Sequence, residues 1–151
     1  KKNIKVAQLH AKNNNLNINY QNKSPENMKD YEKFDVILNL EVVEHVEDVN
    51  LYIGSCFKLL KKGGIMFTAT LNRSLISYLK AIIGAEYILR WLPIGTHDWN
   101  KFLKPEELEK LLLDKKFTTV DVKGLEFNPI SKKWKKTNNL SVNYIICSSK
   151  N

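Results

Sequence analysis

The clearest periodic signal in the chain lies between Val49 and Leu60, where Val49, Tyr52, Ile53, Cys56, Phe57 and Leu60 recur at i, i+3, i+4 and i+7. At about 3.6 residues per turn these positions share one face, so the spacing predicts an amphipathic helix with a buried stripe. Asp48 stands where an N-cap carboxylate belongs. Gly63 and Gly64 stand where the helix is expected to stop, since glycine readily takes the left-handed backbone of a helix end. Short apolar runs flank this unit. "FDVILNL", Phe34 to Leu40, reads as a strand buried on both faces, and "IMFTATL" after the glycines reads as another. Strand, helix, strand in this order predicts a crossover within a parallel α/β sheet.

Elsewhere the pattern is weaker. "NIKVAQLHAKNNN" reads as a helix ending in an asparagine cluster, with His10 on its surface or in its packing. "LNINY" is a short strand candidate, and "SPENMKDYEK" a polar helix or loop. The basic run "SKKWKK", Ser131 to Lys136, reads as a solvated turn between the last two strands.

Composition narrows the picture. A chain of 151 residues with 43% hydrophobic content supports one domain with a real core. Its net charge of +8 favours anionic partners: nucleic acid, acidic phospholipid or a phosphate-bearing ligand. The basic residues are scattered and no nucleic-acid-binding motif accompanies them, which argues against a nucleic-acid reader. Cys56 and Cys147 lie far apart in apolar surroundings and read as buried free thiols of a reducing compartment. No segment reaches the roughly 18 to 20 uninterrupted apolar residues of a membrane span, and the opening "KKNIKVAQLHAKNNN" lacks a signal-peptide core.

The candidate chemistry sits in "LNLEVVEHVEDVN", Leu38 to Asn50, which places Glu41, Glu44 and His45 directly after the first predicted strand. Open α/β sheets gather their ligands beyond the carboxyl ends of the strands. One α-helical turn there brings positions i, i+3 and i+4 within an arc of about 100°, so three side chains can converge on a divalent cation. Solvated charges ahead of the Asp48 cap are the plainer alternative.

"FDVILNLEVVEH", the amphipathic helix and "LLKKGGIMFTAT" together resemble the middle of a class I methyltransferase, the Rossmann-like fold that binds S-adenosylmethionine. Downstream, "LNR" from Leu71, "GAEYILRWLPIGTHDWNKFLKPEEL" from Gly84, "GLEFNPI" from Gly124 and "VNY" from Val142 resemble the demethylubiquinone O-methyltransferase family of ubiquinone biosynthesis. The resemblance implies methyl transfer from S-adenosylmethionine to phenolic hydroxyls of polyprenylated catechol intermediates. It also implies a divalent cation, magnesium by resemblance, on Glu41, Glu44 and His45, and a cofactor contact at Leu40. A histidine ligand leans toward zinc or manganese instead. His97, beside Asp98, is the candidate catalytic base, with an ordinary loop hydrogen bond as the alternative. Asn72 with Arg73, and Asn143 with Tyr144, are candidates for the acceptor pocket or for structural hydrogen bonds. The superfamily pattern further makes the strand near Val142 to Cys147 antiparallel to the others.

The family pattern opens with a first strand, a glycine-rich turn and a second strand ending in an acidic residue, and none of these occurs here. The chain is therefore expected to be a truncated class I methyltransferase domain over residues 1–151, missing its first two strands. A basic, non-catalytic binding module or inactive fragment lacking the cofactor loop is the alternative. "SLISYLKAIIGAEYILRWLPI", Ser74 to Ile94, interrupts the usual short connection. Leu75, Ile76, Leu79, Ile82, Ile83 and Tyr87 recur there at helical spacing, with Lys80, Arg90 and Trp91 suited to a headgroup layer. It reads as an inserted amphipathic lid or membrane-binding segment. The implied partners are a polyprenylated phenol or quinol, an anionic membrane surface and other quinone-biosynthesis enzymes. The implied location is cytoplasmic, peripheral to the inner membrane in a bacterium, or on the matrix side in a mitochondrion.

Overall fold

The computed structural model describes residues 2–29, 33–88, 90, 93, 95, 96, 98–128 and 131–151, apart from the side chains of 81, 85 and 86. The elements are α1 (Lys2–Asn13), β1 (Phe34–Leu40), α2 (Val49–Leu59), β2 (Leu60–Leu71), α3 (Leu75–Ser77, continuing as a wider π-helix over Tyr78–Ile88), α4 (Pro105–Asp114), β3 (Phe117–Asn128), β4 (Lys133–Thr137) and β5 (Asn143–Lys150). The sheet order is β1-β2-β5-β3-β4. β1 and β2 are parallel, and β5 runs antiparallel to both β2 and β3, as expected for the last strand.

α2 forms where its periodicity places it. Asp48 caps it by accepting the Leu51 amide at 2.9 Å, and Tyr52, Ile53 and Cys56 are buried. Ile53 joins Leu60, Met66, Leu108, Leu112, Tyr144 and Ile146 in one core between α2, α4 and a single face of the sheet. Phe57 meets Phe117 edge-on at 5.1 Å between ring centroids.

Several expectations are corrected. "FDVILNL" is a strand, but it is not buried on both faces. Asn39 is buried, whereas Phe34, Val36, Leu38 and Leu40 are exposed. β1 is the terminal strand of the sheet, and no described element covers its second face. "LNINY" forms no strand, because no described residue pairs with it, and Leu16 and Ile18 remain exposed. The glycine pair does not end α2. The helix stops at Leu59, Leu60 already pairs with Phe34, and Lys61–Gly64 bulge out before pairing resumes at Val36 and Ile65. Gly63, at φ 76°, supplies the left-handed residue of that bulge. "SKKWKK" is mostly strand rather than turn: β4 pairs with β3, setting Trp134 opposite Phe127. Cys56 is buried, while Cys147 is only half-buried.

β3 passes close to the loop that follows β4. A Cβ built on Gly124 would lie 1.8 Å from the carbonyl oxygen of Asn139, which is backbone and cannot swing aside. Gly124→Ala is therefore expected to lower unfolding stability by something on the order of 1–3 kcal/mol. Denaturant unfolding checks this, and an unchanged midpoint would show that the loop moves away from β3 freely.

Candidate functional site

At the carboxyl end of β1 the chain turns sharply. Glu41 takes the left-handed backbone at φ 54°, uncommon for a residue with a side chain, and its amide still donates to the Ala69 carbonyl at 3.0 Å. Val43–His45 then form one turn of 3-10 helix. In that geometry, with about 3.0 residues per turn, neighbours diverge by roughly 120°. Glu44 accordingly points inward and is buried, while His45 is exposed. The expected three-way convergence assumed α-helical spacing. The structure brings together Glu41 and Glu44 and leaves His45 on the outside. Among the described residues no three His, Cys, Asp or Glu side chains form a metal-binding group.

The carboxyl pair has unusual electrostatics. Glu44 Oε2 accepts from Thr70 Oγ1 at 2.7 Å, while Oε1 is buried without a partner among the described residues. Burial, then the neighbouring Glu44 carboxyl, push the Glu41 carboxyl up to about 8. Glu41 as a residue keeps solvent access, so the carboxylate neighbour is the firmer of these causes. An unpartnered buried oxygen beside a second carboxyl is a natural cradle for a proton or for an oxygen-preferring cation. The residues present therefore fit a hard divalent ion at Glu41 and Glu44.

Thr70 is the contributor that the residue pattern does not single out. It is fully buried near the end of β2 and looks like one more β-former in an apolar run. Asn39 is similar: its Oδ1 accepts from Tyr52 Oη at 2.6 Å, fixing the end of β1 against α2. The signal for Asn39 is an asparagine inside an apolar strand, facing a tyrosine on the buried stripe of the next helix. Leu40, between this anchor and the carboxyl pair, is exposed and offers an apolar contact face.

The remaining candidates separate. Asn72 is structural, with its Nδ2 donating to the Leu140 carbonyl at 2.8 Å, and Arg73 pairs with Glu107. Tyr144 is buried and donates to the Leu103 carbonyl at 2.9 Å. His10 is exposed on α1. His97 and Trp91 lie outside the described residues.

A mixed sheet with helix-covered strands and a polar site beyond the carboxyl ends of β1 and β2 defines a Rossmann-like methyltransferase fold. An S-adenosylmethionine-dependent methyltransferase from Clostridium acetobutylicum superposes with a TM-score of 0.68 at 14% identity, covering 99% of this chain and 72% of that one. Magnesium protoporphyrin IX methyltransferase from Synechocystis, solved with bound SAH, superposes at 0.62 and 15% identity, over 98% of this chain and 59% of that one. The chain belongs to the methyltransferase domain family, which matches residues 3–122. It is 56% identical, over its full length and 63% of the relative, to the ubiquinone biosynthesis O-methyltransferase of Pelagibacter ubique. The protein of that name from Bartonella bacilliformis is 51% identical over 95% of this chain and 58% of its own length. The chain thus spans roughly three fifths of the curated relatives it matches.

Two outcomes follow from the pair. Thr70→Val strands both oxygens of a buried carboxylate and should cost about 1–3 kcal/mol of stability, whereas Thr70→Ser, which keeps the hydroxyl, should cost far less; equal midpoints for the two variants would remove Thr70 from this role. The second concerns pH. Glu41 has a folded-state pKa near 8, above its ordinary 4.5, so its stabilising contribution is complete below about 4.5 and is lost as pH rises through 8. Without added divalent cation, stability should fall across that window, and Glu41→Gln should flatten the slope; an identical pH profile in the variant contradicts the coupling.

Proposed function

We propose that this chain serves as an O-methyltransferase of ubiquinone biosynthesis, moving a methyl group from S-adenosylmethionine to a phenolic hydroxyl of a polyprenylated catechol intermediate. The observation that carries the reading is the Glu41–Glu44 carboxyl pair, one of its oxygens buried and unpartnered, at the sheet end where such folds bind their ligands. The names of the relatives supply the substrate class.

A divalent cation, when bound, supplies positive charge that favours the phenolate over the phenol and orients a catechol. Glu41 and Glu44 are its proposed oxygen ligands, while His45 stays on the solvent side of the turn. Two carboxylates with an exposed histidine suit magnesium better than zinc, because magnesium prefers oxygen donors and retains several waters. Thr70 holds Oε2 of Glu44 and so fixes the orientation of that carboxylate. Leu40 offers an apolar contact to the cofactor. His97 is the proposed acceptor of the phenolic proton, its imidazole suited to proton transfer near neutral pH.

A polyprenyl tail keeps such a substrate in the lipid phase, so the enzyme has to work at a membrane surface. No helix among the described residues is long and apolar enough to cross a membrane. The α3 segment is instead apolar on its outside: Leu75 is 77% and Ile88 71% exposed, with Ile76, Leu79 and Tyr87 also exposed. Ile82, which its spacing groups with them, faces inward at 9%. We read the outer face of α3 as a peripheral contact with an anionic bilayer on the cytoplasmic or matrix side.

Methyl transfer from labelled S-adenosylmethionine to a demethylated polyprenyl phenol, measured on the natural protein with magnesium, is the direct test, and no transfer overturns the reading. For the site itself, calorimetry should detect magnesium binding that the Glu41→Ala, Glu44→Ala, His45→Ala variant loses. Equal affinity in the two proteins dismisses the cation assignment.

A further inference from the structure

The β3–β4 hairpin carries a feature that the methyltransferase reading leaves unused. Phe127 and Trp134 face each other across the ladder, with ring centroids 5.3 Å apart, and they are 40% and 60% exposed. Lys132, Lys133, Lys135 and Lys136 surround the tryptophan in sequence. The hairpin's two carboxylates are already paired, Glu126 to Lys135 at 3.2 Å and Asp121 to Lys123 at 3.6 Å. β4 is the outermost strand on this side of the sheet.

Lysines on an edge strand are a common guard against strand-to-strand aggregation. That function accounts for the charges but not for the aromatic pair, which edge protection would replace with polar residues. An exposed tryptophan flanked in sequence by lysines suits an interface that is apolar at one depth and anionic at the next. The position agrees. β3 runs in the same direction as β2, both being antiparallel to β5, so the hairpin leaves the sheet at the end where β2 passes into α3. Lys80 of α3 acts electrostatically on Glu126, behind the stronger influence of Lys135. The amide of Asn72, just ahead of α3, donates to the Val142 carbonyl at 2.7 Å and ties the start of α3 to the strand that follows the hairpin.

We propose that the β3–β4 hairpin is a second contact with an anionic phospholipid surface, Trp134 and Phe127 entering the interfacial layer while Lys132, Lys133 and Lys136 meet headgroup phosphates. The inference rests on the membrane reading of α3 and adds to it. Two separated contacts fix the orientation of the protein on the bilayer, which one helix face alone does not, and they hold the carboxyl-pair end of the sheet toward the lipid.

Cosedimentation with vesicles of equimolar phosphatidylcholine and phosphatidylglycerol, against pure phosphatidylcholine, separates the possibilities. Four forms of the protein are compared: wild type; an α3 variant with Leu75→Gln, Ile76→Gln and Leu79→Gln; a hairpin variant with Trp134→Ala, Lys132→Gln, Lys133→Gln and Lys136→Gln; and a hairpin variant with those three lysines changed to arginine. Removing three cations near an anionic surface should weaken partitioning by on the order of tenfold or more, and the arginine variant should bind like wild type. Raised salt should weaken wild-type binding more steeply than that of the hairpin-glutamine variant. If wild type ignores both vesicle types, the membrane reading and this inference fall together. If the α3 variant is released while the hairpin-glutamine variant still pellets like wild type, the α3 reading stands and the hairpin inference is overturned. Equal wild-type binding to the two vesicle types also overturns it.

Discussion

The geometry of the carboxyl end of the sheet depends on the burial of one carboxylate against one hydroxyl. β2 is hydrogen-bonded along both edges, to β1 and to β5, so Thr70 has no freedom to move away. Its hydroxyl donates to Glu44, the polar group brought to it when the 3-10 turn after β1 swings that side chain inward. A carboxylate removed from water is costly unless its oxygens are satisfied, and the Thr70 hydrogen bond satisfies only one. The second oxygen is buried without a hydrogen-bond partner among the described residues, close to the Glu41 carboxyl. The left-handed backbone of Glu41 belongs to the same arrangement: strain of this kind persists where the surrounding structure over-determines it, which is characteristic of ligand sites.

The parts of the molecule that were legible in the residue pattern are those fixed by local rules. α2 announces itself through its apolar stripe and the Asp48 cap, both of which act within a few residues. The strand identity of β1 was equally plain, but its burial was not, because burial depends on what lies across the second face. The pairing of Glu41 with Glu44 was visible as an i, i+3 spacing, which α and 3-10 turns both bring together. The place of His45 was not, since the two helices differ most at i+4. Nothing in the sequence distinguishes Thr70 from Thr68; only the register of β2 beside the 3-10 turn does. The bulge at Lys61–Gly64 was likewise hidden, because glycines that end a helix and glycines that shape a bulge look alike in sequence.

Polar contacts fasten α3 to the sheet at its base while its outer face stays apolar. Ser74 caps the helix by accepting the Ser77 amide at 3.0 Å, and the Trp99 indole donates to the Ser74 carbonyl at 3.1 Å. Tyr78 packs edge-on against Trp99 at 6.1 Å. The segment is thereby pinned at one end by groups that gain from being dry, and exposed elsewhere through residues such as Leu75 and Ile88, which gain from leaving water. Within the group set by that spacing, Ile82 turns inward and Ile83 is half-buried, while Leu75, Ile76, Leu79 and Tyr87 stay exposed.

Distance joins these two features. Thr70 and Asn72 are two residues apart along one extended chain, a span of about 7 Å at strand rise. One holds the buried carboxylate and the other ties the base of α3 to the loop that leads into β5. The base of α3 and the buried carboxylate are therefore close neighbours along β2. Water is the competitor at such a shallow site, and the exposed face of β1 next to Leu40 leaves one wall open to it. On the proposed reading, a phenolate beside Glu41 and Glu44 stays reactive only when shielded from that side, since hydration of the charged oxygen stabilises it in place. This chain spans about three fifths of the length of those relatives, and on the proposed reading the exposed face of β1 is the side from which the site has to be kept dry.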